Sequence, residues 1–236
     1  MILLMSKINI GLLHGLGGGL GDFNKLNQEL IQKGYNVFKI DIPGHESPEI
    51  LKNMNSAKII KNIKSKISQY KNIVLLGHSF GGSLAINLAS LVRPLGIVLF
   101  STPYYYDYST RIIGKGLAKL SIKIPAIRTK DIIFAKNIST SYKKHSYYYL
   151  KTFSWFMDFV SQTKHKIKNI SCPSLIICGS KDSIIHHSHS QKIFSDMIAT
   201  QKELYILPNS GHMIMHDLDG KQAQQKIFQF LEKIAG

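Results

Sequence analysis

Residues 72–91 read Asn-Ile-Val-Leu-Leu-Gly-His-Ser-Phe-Gly-Gly-Ser-Leu-Ala-Ile-Asn-Leu-Ala-Ser-Leu, and the two halves follow different periods. Residues 73–76 form an unbroken apolar run, which suits a strand buried on both faces. From Gly82 the pattern turns helical. Gly77-His78-Ser79-Phe80-Gly81 lies between them. A strand that passes into a helix through so few residues must turn sharply, forcing its central residue into a strained conformation and holding that side chain clear of the sheet. Gly77 and Gly81 leave room for this turn. The hydroxyl of Ser79 then stands at a helix N-terminus, where unpaired N–H groups and the helix dipole favour a developing negative charge. Ser79 therefore reads as a nucleophile. The competing reading, a chance G-x-S-x-G in a turn, is disfavoured by the strand-turn-helix setting.

Working outward, residues 8–13 form a buried strand, and residues 14–21 form a glycine-rich loop (His-Gly-Leu-Gly-Gly-Gly-Leu-Gly). Asp22 reads as the N-cap of a helix that runs to about Lys33. The loop lacks the lysine and hydroxyl residue of a phosphate-binding P-loop, and its glycines miss the G-x-G-x-x-G spacing. Its better use is to bring a backbone N–H close to a reacting carbonyl oxygen. Residues 35–40 and 95–100 read as further strands, with His45 an ordinary loop residue after the first. Ser56 is placed to cap a helix with Ile59, Ile60, Ile63 and Ile67 on one side and lysines on the other. Strands alternating with helices predict an α/β fold with a mostly parallel sheet flanked by helices.

The alternation breaks between about residues 101 and 166. Eight of the eleven tyrosines lie there (104, 105, 106, 108, 142, 147, 148 and 149), followed by Phe153, Trp155, Phe156 and Phe159. A small, mainly helical cap inserted into a single domain spanning 1–236 accounts for this. Its aromatic side can line the mouth of a site for an apolar acyl chain, or simply pack onto the core. Alternation then resumes. Residues 173–178 and 203–207 read as strands, Gly179-Ser180-Lys181-Asp182-Ser183 and Pro208-Asn209-Ser210-Gly211-His212-Met213 as the loops that follow them, and 219–234 as a last helix.

Lysine and arginine total 30 against 14 acidic residues, a net charge of +16, and all but three of the basic residues are lysine. Nucleic-acid readers favour arginine where they grip bases or phosphates, and none of their motifs occurs. A solvated lysine-rich surface is the expectation, with weak attraction to an anionic membrane surface as the lesser one. Cys172 and Cys178 fall in one predicted strand, too far apart to bridge, which agrees with a reducing compartment. Residues 1–5 are too short for a signal peptide or a membrane span, so a cytoplasmic protein is expected. The run His186-His187-Ser188-His189 opens a helix without carboxylates at ligand spacing. It reads as a surface run, so no metal is expected.

Ser79, Asp182 and His212 each follow a predicted strand, at the end of an open parallel sheet where ligands bind. A serine hydroxyl needs a base, and a neutral imidazole needs a carboxylate to fix its tautomer. Asp182 is preferred over Asp107 and Asp217 for the latter role. His78 reads as support for the elbow and not as the base. Taken in order, His14-Gly15, Gly77-His78-Ser79-Phe80-Gly81-Gly82, Gly179-Ser180-Lys181-Asp182 and Ser210-Gly211-His212 resemble the α/β-hydrolase fold family, whose triad order is Ser, Asp, His. The short chain and Pro43-Gly44-His45-Glu46-Ser47-Pro48-Glu49 resemble the small bacterial carboxylesterases and monoacylglycerol lipases. Glu46 departs from the second glycine that such relatives often carry. The resemblance implies a cofactor-independent ester hydrolase with an oxyanion hole made by the backbone N–H groups of Leu16 and Phe80. Thioester or carbon-carbon bond hydrolysis by the same triad is the alternative, and a catalytically silent binding protein the minor one.

Overall fold

Six parallel strands carry the architecture. The computed structural model describes residues 8–19, 21–106, 122–125 and 147–235. In chain order the elements are β1 (Asn9–Leu13), α1 (Asn24–Gln32), β2 (Asn36–Ile40), α2 (Pro48–Leu51), α3 (Ser56–Ile67), β3 (Ile73–His78), α4 (Phe80–Val92) and β4 (Gly96–Phe100). They continue with β5 (Lys123–Pro125), β6 (Tyr147–Tyr149), α5 (Leu150–Ile167), β7 (Ser174–Gly179), α6 (Ser188–Asp196), β8 (Lys202–Leu207), a 3₁₀ turn (Ile214–His216) and α7 (Gly220–Ala235). The main sheet has the order β2-β1-β3-β4-β7-β8. The expected parallel sheet flanked by helices is therefore what the chain forms.

Period-two alternation splits the apolar strand residues between two cores. Leu13, Leu75, Ile97, Leu99 and Ile176 face α3, α4 and α5, burying Ile59, Ile63, Leu84, Leu88 and Val160 with them. Ile10, Leu12, Val74, Leu76, Val98, Phe100, Leu175 and Ile177 face α1 and α7, against Leu26, Leu30, Ile227 and Leu231. Every residue of β3 is buried, as is every residue of α4 from Phe80 to Ala89. The stretch that decides the fold is thus also its centre.

The sheet reverses direction between β1 and β3. From β1 the chain moves out to β2, then crosses back to β3 and builds the other way. In open parallel sheets such a reversal of strand order, with the loops leaving the carboxyl ends of β1 and β3 diverging, is where ligands bind. Registers set these ends level, with Leu13 opposite Gly77, His78 opposite Phe100, and Gly179 opposite Leu207.

Three local expectations are corrected. Asn55, not Ser56, caps α3, its side chain accepting the Lys58 N–H at 3.0 Å. Asp22 is not an N-cap: Phe23 takes that place without a side-chain bond. Between residues 101 and 166, where no strand pattern stands out, Lys123–Pro125 pairs antiparallel with Tyr147–Tyr149. Most of the anticipated cap lies outside the described residues. No helix among the described residues is long and apolar enough to cross a membrane. Cys172 and Cys178 are both free.

Candidate active site

Ser79 joins β3 to α4 with φ 53° and ψ −114°, a region that non-glycine residues enter only under constraint, at about 1–3 kcal/mol. The constraint is visible. Its N–H donates to the Phe100 carbonyl at 2.8 Å, and its own carbonyl accepts from Gly82 at 3.0 Å. A β-carbon on Gly77 would lie 2.3 Å from the Gly81 carbonyl oxygen, and one on Gly81 would lie 2.0 Å from that of Leu13. Both obstacles are backbone, so neither can swing aside. Gly81→Ala is accordingly expected to destabilise the protein by about 3 kcal/mol. A urea unfolding midpoint equal to that of the parent chain would contradict this packing.

Asp182 and His212 come from neighbouring strands, β7 and β8. Gly179 lets their loops touch, since a β-carbon there would sit 2.0 Å from the Ser210 carbonyl oxygen. That oxygen accepts the Lys181 N–H at 3.0 Å. Asp182 Oδ2 lies 2.8 Å from His212 Nδ1. Its Oδ1 accepts the N–H groups of Ile184 at 2.9 Å and Ile185 at 2.8 Å. Burial alone would raise the Asp182 pKa, but His212 and these two amides outweigh it and hold the carboxyl below its usual range. An ionised Asp182 only accepts, so Nδ1 carries the proton and Nε2 keeps its lone pair.

His78 ties this pair to the elbow. Its Nε2 donates to the His212 carbonyl at 3.0 Å, and the two rings lie 4.8 Å apart. Burial, then the neighbouring His212, lowers the His78 pKa to about 3, so it stays a neutral donor. Asp217, the rival carboxylate, is engaged elsewhere, accepting the N–H of Gly211 at 2.7 Å and of Leu218 at 2.8 Å. Asp107, the other rival, lies outside the described residues.

Leu16 and Phe80, the two expected backbone donors, lie in the loop after β1 and at the start of α4. Phe80 is the first residue of α4, so its N–H has no acceptor within the helix. Leu16 occupies a turn closed by Gly18 N–H donating to the Gly15 carbonyl at 3.0 Å. Gly17 takes φ +73°, as the third position of a type II turn requires. His14 anchors that turn, with Nδ1 2.9 Å from the Gly15 carbonyl and Nε2 accepting the Ile42 N–H at 3.3 Å. Burial lowers its pKa, which fits the neutral tautomer these contacts need. His45, expected to be a loop residue, packs edge-on to His14 and stacks on Phe80.

An aromatic wall closes over the elbow. Trp155, Phe156 and Phe159 of α5 bring their rings within 5.6, 6.0 and 5.3 Å of Phe80. Tyr106 packs on Phe156, and burial followed by the Asp182 charge raises the pKa of its hydroxyl. The histidine run departs from a purely surface role, because half-buried His189 turns its Nδ1 to accept the Tyr104 N–H at 3.0 Å. Among the described residues no group of three or more His, Cys, Asp or Glu side chains converges as metal ligands do. The close approach at Gly179 has no sequence signal beyond a glycine at a strand end.

A family model described as serine aminopeptidase, S33 matches residues 6–219. A carboxylesterase of Bacillus subtilis is 24% identical over 229 residues, covering 94% of this chain and 92% of that protein. A thermostable monoacylglycerol lipase of a Bacillus species is 24% identical over 247 residues, covering 97% and 92%. Among solved structures, one from a study of the metagenome-derived lipolytic enzymes LipS and LipT superposes with a TM-score of 0.81 at 18% identity, covering 96% of this chain and 94% of that one. That likeness extends to the whole fold, a mostly parallel sheet flanked by helices.

Proposed function

The chain belongs to the S33 family of α/β hydrolases, and from that premise we propose that it cleaves carboxylic esters through Ser79, His212 and Asp182. Ser79 Oγ attacks the acyl carbon while His212 Nε2 takes its proton. The same nitrogen then protonates the departing alkoxide, leaving an acyl-enzyme that a water, activated by His212, releases as the acid. Asp182 holds the imidazole in the required tautomer and stabilises the imidazolium. The N–H groups of Leu16 and Phe80 receive the negative charge on the carbonyl oxygen. Every step is assigned to groups of this chain. The observation that carries the reading is the buried 2.8 Å contact between Asp182 and His212, tied through His78 to the elbow that holds Ser79 in a strained conformation at a helix N-terminus.

The aromatic wall formed by Phe80, Trp155 and Phe159 favours an apolar acyl group, and the two relatives named above, a carboxylesterase and a monoacylglycerol lipase, favour an ester bond. Comparing p-nitrophenyl butyrate, p-nitrophenyl laurate, a monoacylglycerol and an acyl-CoA tests this. The oxygen esters are expected to give a kcat/KM at least tenfold above the acyl-CoA. The reverse order would make the protein a thioesterase using the same groups.

A further inference from the structure

Asp22 sits at the start of α1 yet turns away from it. It is 3% exposed, its Oδ1 accepts the Gly19 N–H at 3.2 Å, and its Oδ2 has no hydrogen-bond partner among the described residues. Oδ2 presses on the backbone of the glycine loop, for a β-carbon on Gly18 would meet it at 2.2 Å. A β-carbon on Gly17 would meet the Tyr148 hydroxyl, also at 2.2 Å. The Gly15–Gly18 turn is therefore packed against a carboxyl group at Gly18 and a tyrosine at Gly17, and Leu16 is one of its two central residues.

We propose that Asp22 is a positioning residue that clamps this turn and so aims the Leu16 N–H at the reacting carbonyl oxygen. The proposal rests on the ester-hydrolase reading given above. A buried acid is an expensive way to fasten a loop, since an uncharged asparagine would fit the same space. What the charge adds is a stronger acceptor for amides, because bonds to an ionised acceptor are about twice as strong as neutral ones.

Burial raises the Asp22 pKa to about 7, with the nearby N–H groups of Gly19 and Gly15 pulling the other way. Among the described residues, the titratable groups around it are few. Tyr148 lies near it, its own hydroxyl pKa raised by burial and then by the Asp22 charge. His78, which is neutral, and His216 share a small cavity with it, and His216 Nε2 donates to the Asp22 carbonyl oxygen at 2.8 Å. None is a fixed cation that would keep the carboxylate ionised in acid. The clamp therefore weakens as pH falls through 7. Stability runs the other way. A raised folded pKa means the native state binds the extra proton between about pH 4 and pH 7, so ionising Asp22 costs stability as pH rises through that window.

Asp22→Asn separates these effects in the full chain. At pH 8 it should lower kcat for p-nitrophenyl butyrate by tenfold or more, with KM within about twofold, toward the loss seen when one oxyanion donor is removed. Its thermal midpoint at pH 8 should exceed that of the parent, with the difference vanishing near pH 4. The acid limb of log kcat/KM against pH should be shallower for Asp22→Asn than for the parent, the two converging as Asp22 itself becomes protonated below about pH 6. A kcat loss under tenfold, or an unaltered acid limb, overturns the proposal. A Ser79→Ala protein assayed alongside keeps the two readings apart: if it stays active the ester-hydrolase mechanism fails, whereas a parent-like Asp22→Asn with inactive Ser79→Ala removes the clamp alone.

Discussion

Ser79→Ala is expected to lower kcat for a p-nitrophenyl ester by about 10⁶, leaving only what binding and the oxyanion donors supply. The size of the loss follows from the elbow. Ser79 is the residue that the turn holds forward, and the obstacles around Gly77 and Gly81 are backbone atoms, so no neighbouring hydroxyl can be moved into its place. The fold is expected to survive, because alanine occupies the same backbone at no greater strain. Glycine, which reaches φ 53° freely, should raise the unfolding free energy by about 1 kcal/mol while being equally inactive. An alanine variant that turned over at the parent rate, with contaminating esterase excluded by fluorophosphonate labelling, would end the proposed mechanism.

Asp182→Asn is expected to cost about 10⁴ in kcat at neutral pH, the scale at which a triad loses its tautomer. Oδ1 of Asp182 is already committed to two amide donors, Ile184 and Ile185. An asparagine must keep its carbonyl oxygen there, which turns its NH₂ toward His212 Nδ1. Two donors cannot face each other, so the imidazole would move its proton to Nε2 and could no longer accept one from Ser79. Stability at neutral pH should fall modestly, since both loop contacts persist but the ionised carboxylate that the fold favours is lost. A loss smaller than about thirtyfold would mean that His212 draws its tautomer from another group.

The sheet was legible because β3, β4 and β7 are short apolar runs, each entered from an asparagine or a proline (Asn72, Pro94 and Pro173), and residues 73–76 could hardly be anything else. Helix faces were legible where isoleucines recur, as at 59, 63 and 67. The errors arose where one residue type serves two purposes. Asp22 has the composition of a cap, and only the folded loop reveals that its carboxyl is turned back under Gly18. Asn55 and Ser56 are adjacent capping residues, and the amide side chain won the Lys58 N–H. The β5–β6 pair escaped notice because three-residue strands carry too little pattern to register. Residues 79, 182 and 212 could be grouped because each follows a strand of a parallel sheet. That two backbones must touch at Gly179 for the last two to meet depends on inter-strand spacing, which no local pattern encodes.

The contact between Gly179 and Ser210 also divides the molecule by evolvability. Asp182 and His212 inherit their separation from the pairing of β7 and β8, whereas the aromatic wall belongs to α4 and α5. Under the proposed reading, α5 can drift in composition, and with it the acyl groups that fit against Trp155 and Phe159, while the Asp182–His212 pair stays fixed. New selectivities can therefore arise by changing the covering alone, with no need to rebuild the chemistry beneath it.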